Sequence, residues 1–164
     1  MKKILNGRKV KALLLMLVLT VTMSLAPITS AYAATTPIFS VTQVGEAVNL
    51  STDNSYQMWK ASNYQSNTYH PTINLKTKDV AVTFKWTGAF GNTYVSVDGV
   101  NLGTTDSVDT NAKVYFLDYQ NSGSSIIKTI VIKDLTPGKH EITIRGVATT
   151  GVVKTDYATV NLTY

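Results

Sequence analysis

An all-β, antiparallel β-sandwich is the fold class this sequence predicts, on three observations. Val80, Val82, Phe84 and Trp86 alternate with Ala81, Thr83 and Lys85. That period of two lines one face of a strand with large apolar side chains. Asp98-Gly99 separates two apolar runs, and this pair tolerates the positive φ angles of a type I′ hairpin turn. Beyond the first 34 residues, eight to ten short runs rich in β-branched and aromatic residues are punctuated by Gly, Pro, Asn and Asp, with no sustained helical period.

The first residues stand outside that fold. Lys2, Lys3, Arg8, Lys9 and Lys11 form a positive segment, Ala12 to Ala26 is uncharged and mostly apolar, and Ala31-Tyr32-Ala33 is a small-x-small cleavage signal. This is the pattern of a secretory signal peptide over residues 1–33, cut between Ala33 and Ala34. Its apolar run is short of the roughly 20 residues a membrane span needs. A single sandwich domain, residues 34–164, is expected to follow. Five of the 15 Lys+Arg and none of the 10 Asp+Glu precede Ala34. The charge of +5 therefore belongs to the precursor, and the mature chain carries ten charges of each sign. No basic tract remains to bind nucleic acid or anionic lipid. Cys is absent, which excludes disulfides, thiolate metal sites and a lipoprotein anchor. The long basic leader and the lack of Cys fit a bacterial, secreted, extracellular protein with no membrane span in its mature form.

Taken in order, Thr35 to Val44 reads as a first strand, Gly45-Glu46 as a turn, and Ala47 to Leu50 as a short second strand. Tyr56 to Lys60 and Tyr69 to Leu75 are strands flanking a polar loop. Pro71 cannot donate to a ladder, which places the second of these at an edge or a strand start. Val80 to Trp86 is followed by a Gly/Asn turn and then the hairpin, whose two-residue loop pairs Val97 with Val100 and Val95 with Leu102. Thr104 to Lys113 is an Asp-containing loop, and Val114 to Tyr119 is apolar on both faces. Ile126 to Leu135 is β-branched on both faces, as in a central strand. Thr136-Pro137-Gly138-Lys139 has Pro and Gly where a type II turn wants them. His140, Ile142 and Ile144 then alternate with Glu141, Thr143 and Arg145. Tyr157 to Tyr164 closes the chain.

Two resemblances run through these elements. Thr68-Tyr69-His70, Phe84 to Gly88, the V-x-V-D-G of Val95 to Gly99 and the L-x-x-G-x-H-x-I-x-I of Leu135 to Ile144 resemble steps of jelly-roll carbohydrate-binding modules. That resemblance implies a jelly-roll-like sandwich and a polysaccharide or cell-surface glycan as partner. Val82 to Trp86, Tyr94 to Gly103 and Leu135 to Gly138 also resemble fibronectin type III domains, whose usual corner Tyr is His140 here. Such a sandwich has about 100 residues and leaves the N-terminal third of the mature chain unexplained, so length favours the jelly roll.

Sugar binding calls for flat aromatic faces beside directional hydrogen-bonding groups. The stretch from Tyr56 to Tyr69 supplies both. The expected carbohydrate site is Trp59, Tyr64 and Tyr69 as stacking platforms, with Asn63, Gln65 and Asn67 as polar partners. The plainer alternative is that these rings cap the core while the amides face solvent. Trp86 belongs to the core on alternation alone. Asp106, Asp109 and Asn111, with Asp118 further on, carry oxygens of the kind Ca²⁺ takes, but their spacing matches no loop motif and a solvated loop is the simpler reading. No G-x-S-x-G, P-loop, dinucleotide fingerprint or clustered carboxylate pair is present. The expectation is thus a protein that is not an enzyme, without a cofactor. The alternative is an extracellular structural, surface-assembly or protein-binding domain, which exposed edges on strands such as Ile126 to Ile132 would favour.

Overall fold

The computed structural model describes residues 38–50, 55–64 and 70–164. Residues 1–33, read from the sequence as a signal peptide, lie outside the described residues. Ten strands follow one another: β1 (Phe39–Leu50), β2 (Ser55–Asn63), β3 (Thr72–Leu75), β4 (Val80–Thr87), β5 (Phe90–Val97), β6 (Val100–Thr104), β7 (Val114–Ser122), β8 (Ser125–Ile132), β9 (Gly138–Ala148) and β10 (Val153–Leu162). They form two five-stranded sheets, ordered β2-β1-β4-β8-β7 and β3-β10-β9-β5-β6. Every pairing is antiparallel except β3 with β10, which is parallel.

The all-β sandwich expected from the sequence is the fold observed. β1-β4-β8-β7 takes the A-B-E-D places of an immunoglobulin-type sandwich, and β6-β5-β9-β10 takes the places of C′, C, F and G. The strand order is thus that of an immunoglobulin-type sandwich. Strand β2, folded back along β1, and β3, added beside the last strand, account for the N-terminal residues that made such a domain look too short.

Alternation decides the core. Val80, Val82, Phe84 and Trp86 of β4 face Val95, Ile142, Ile144, Val160 and Leu162 of the second sheet in one buried cluster. Each such side chain removed from water contributes about 1.5–3 kcal/mol. Trp86 is 5 % exposed, as alternation predicted. The Asp98-Gly99 turn forms with φ of 51° and 80°, as a type I′ turn requires. Val97 pairs with Val100 as expected, but Val95 pairs with Gly103 instead of Leu102 because a bulge intervenes. Gly45-Glu46 is likewise not a turn. β1 runs straight through it as a single strand, with a register shift between Val44 and Glu46.

His140 stands near the start of β9, two residues after Gly138. Its Nε2 lies 2.8 Å from the Thr136 carbonyl and its Nδ1 lies 2.6 Å from Asp98 Oδ2. Both partners accept, so both ring nitrogens donate when the ring is protonated. Burial opposes that charge, but Asp98 and the Thr136 carbonyl outweigh it and hold the His140 pKa above its ordinary 6.5. Burial also works against the Asp98 carboxylate; the Glu141 N–H and His140 outweigh it and hold Asp98 below its ordinary 3.8. The contact stabilises fully below the ordinary histidine value and is lost as pH rises through the raised one. At the acid end it is present above the ordinary Asp value and is lost as pH falls through the lowered one. His140→Ala is therefore expected to cost most between pH 3.8 and 6.5. With Asp98 half exposed, that cost is about 1–2 kcal/mol. Urea unfolding of both proteins at several pH values checks this, and a pH-independent difference would contradict it.

Candidate functional site

The site begins with what two bulges do to the outer face of the first sheet. Successive strand residues normally point to opposite faces. In β1 the register with β4 shifts between Val41 and Gln43, and in β7 the register with β8 shifts between Phe116 and Asp118. Each bulge turns two consecutive residues toward the same side: Thr42 with Gln43, and Leu117 with Asp118. The result is a groove of about 700 Å³ lined from all five strands.

Its lining mixes apolar side chains, Tyr56, Met58, Leu117 and Ile127, with polar ones. Ala47, Ala81 and Val131 are buried beneath Tyr56, Met58, Tyr115 and Leu117. The Tyr56 and Tyr115 rings meet at 5.9 Å, tilted by 45°. At the centre the Thr83 and Thr129 hydroxyls bond each other at 2.9 Å, and Thr83 lies 3.7 Å from the Met58 sulfur. Gln43, Asn63, Lys85, Asp118 and Gln120 form the polar lining. Gln43 Nε2 donates to Asn63 Oδ1 at 3.3 Å, and Gln120 Nε2 donates to Asp118 Oδ2 at 3.0 Å. These bonds orient the amides and leave the Asn63 NH₂ as a donor. Burial, with Asp79 and Asp134 nearby, raises the Tyr56 phenol above its ordinary value, so it stays neutral.

Of the six residues expected from the sequence to form the site, three fall among the described residues, and these do not share one surface. Asn63 lines the groove. Trp59 is 56 % exposed, but it pairs with Glu46 and, one residue from Met58, stands on the opposite face of β2. Tyr64 is a correction. It is 3 % exposed and belongs to the core. Its N–H donates to Thr42 O at 2.7 Å, and its hydroxyl accepts from the Thr159 N–H at 3.3 Å. A ring whose faces are covered offers no stacking platform. Burial raises its phenol pKa, with the Thr159 bond working the other way. Gln65, Asn67 and Tyr69 lie outside the described residues. Lining residues that run from Thr42 to Thr129 form no cluster in the sequence. The signal that could have found them is the apolar outer face of strands also apolar within, Val114 to Tyr119 and Ile126 to Ile132.

The Asp-containing loop is held by one lysine of β8 and one just beyond its end. Lys128, buried with its ammonium 5.7 Å from the centres of the Trp86 and Phe116 rings, pairs with Asp106. Lys133 bonds the Thr110 carbonyl. Asp109 Oδ1 accepts from the Asn111 N–H at 2.8 Å, closing a local turn. Asp106 and the Asp109–Asn111 turn are thus engaged apart from each other, and no acidic or imidazole cluster suited to a metal occurs among the described residues. β8 lies between β4 and β7, so Ile126 to Ile132 is not an edge available for assembly. No helix among the described residues is long and apolar enough to cross a membrane.

No protein-family profile matches the chain, and no curated protein does. Among solved structures it is similar to a Jonesia denitrificans lytic polysaccharide monooxygenase, at 23 % identity and TM-score 0.40 over 57 % of this chain and 58 % of that one. It is also similar to domains 4 and 5 of the S-layer protein SbsC, at 14 % identity and TM-score 0.27 over 83 % of this chain and 80 % of that one.

Proposed function

We propose that the chain is a secreted, non-catalytic β-sandwich module that binds a polysaccharide of a cell wall or extracellular matrix in the groove across the first sheet. The groove itself carries the reading: apolar and aromatic side chains beside amides and hydroxyls, the pairing of surfaces that pyranose C–H faces and hydroxyls require. Five strands at the usual spacing span about 19 Å, a length suited to a linear chain more than to one sugar. Tyr56 offers the aromatic face, and Gln43, Asn63 and Gln120 the directional partners.

The test is retention of the secreted chain on peptidoglycan, chitin, cellulose and xylan, with release by the matching soluble sugar. Retention on one of these is expected. Tyr56→Ala and Asn63→Ala should each weaken it roughly tenfold, about 1.4 kcal/mol, while Trp59→Ala should leave it unchanged. Folded protein that is retained on none of them, or retention indifferent to both groove substitutions, would refute the reading.

A further inference from the structure

The outer face of the second sheet carries a smaller pocket of about 380 Å³, lined by Tyr94, Ser96, Asn101 and Arg145 with backbone from Val95 and Gly99. Tyr94 and Arg145 are direct cross-strand partners of β5 and β9. Their neighbours Val95 and Ile144 are buried in the core, so alternation puts this pair on the outside. The guanidinium carbon of Arg145 stands 5.4 Å from the Tyr94 ring centre. Stacking of this kind fixes the planar fork without consuming its N–H donors. No carboxylate pairs with Arg145 among the described residues. Asp98, in the adjoining turn, is committed to His140 and to the Glu141 N–H.

Ser96 and Asn101 face each other across β5 and β6, beside the bulge that displaced Leu102 from its expected partner. Asn101 Oδ1 accepts from the Gly103 N–H at 3.0 Å, which leaves its NH₂ as a donor. One fixed cation therefore stands beside three neutral hydrogen-bonding side chains. An acidic peptide or a polyphosphate calls for several cations. A sugar ring with a single carboxylate calls for one, with neutral partners for its hydroxyls.

We propose that this pocket binds one uronic acid unit of an acidic polysaccharide, its carboxylate on the Arg145 fork and its hydroxyls on Ser96 and Asn101. The choice of a sugar over another carboxylate rests on the glycan reading of the chain; the pocket itself is separate from the groove.

The test is an NMR titration of the ¹⁵N-labelled secreted chain with methyl glucuronide, methyl glucoside and acetate in parallel. Methyl glucuronide is expected to shift the Arg145 Nε–H and the Ser96 and Asn101 signals. Methyl glucoside, lacking the charge, and acetate, lacking the ring, should each bind at least tenfold more weakly. Arg145→Gln should weaken the glucuronide response about tenfold or more, the expectation for losing a charge-assisted hydrogen bond. Arg145→Lys should not restore it, because the fork is gone. No glucuronide-specific shift at Arg145 overturns the proposal, and so does acetate binding as tightly as the glucuronide. Groove residues such as Asn63 report independently in the same spectra, so failure of the pocket and failure of the groove are read apart.

Discussion

Phe84→Ala is expected to lower the unfolding free energy by about 3–5 kcal/mol, the usual range for truncating a large ring in a packed core. Phe84 is fully buried and meets Phe39 at 5.7 Å and Trp86 at 5.6 Å between ring centres. Those rings come from β1 and β4, which limits how far the site can collapse around a missing ring: each is held in place by its own strand ladder. Domains of this kind are stable by only about 5–15 kcal/mol, so the loss should bring the protein near its unfolding threshold. Urea denaturation measures it, with the slope unchanged if the native state stays compact. Trp59→Ala provides the contrast. Its indole is largely exposed, so the same measurement should move by no more than about 0.5 kcal/mol. A loss below about 1 kcal/mol for Phe84→Ala would mean that the two sheets do not pack as described.

The difference between those two aromatics shows what the sequence could disclose. Phe84 and Trp86 sit in a run of strict alternation, and period two places a residue on a face without any further knowledge of the fold. The Asp98-Gly99 turn was legible for a similar reason: few pairs tolerate two positive φ angles in succession. Tyr64 had no such frame. It follows β2 in a polar, aperiodic stretch, and only the meeting of Thr42, His70 and Thr159 around it explains why the ring turns inward. Local density of aromatics and amides suggested a site at Tyr56 to Tyr69, but the groove gathers residues from five strands, and the bulges that aim Thr42 with Gln43 and Leu117 with Asp118 leave no mark that distinguishes them from ordinary strand sequence. Length is a weak guide to sandwich subtype for a related reason: an added edge strand such as β2 lengthens a chain without altering the order of the others.

Gly45→Ala is the second large effect, and it connects the misread turn to the groove. Gly-Glu within apolar flanks reads as a turn, yet a Gly inside a strand also marks a bulge or a close backbone approach. Here it marks both. A methyl group at Gly45 would stand 2.8 Å from the Trp59 carbonyl oxygen and 3.0 Å from the Ala61 Cα. Both are backbone atoms of β2, so no rotamer change relieves the clash and β2 itself must move away from β1. The expected cost is about 1–3 kcal/mol, the range for overpacking a close contact. The cost should be localised. Glu46, next in the bulge, pairs with Lys60 of β2 at 3.3 Å, so that contact should loosen with β2, while its bond from the Lys76 N–H at 2.9 Å, which does not involve β2, should remain. Amide hydrogen exchange should show lost protection in β2, while β9 and β10, in the other sheet, keep theirs. Because β2 supplies Tyr56, Met58 and Asn63 to the groove, glycan retention should fall together with β2 protection, though no groove side chain has been changed. Native protection in β2 with undiminished stability would show that β1 and β2 are not in the close register that gives the groove its outer wall.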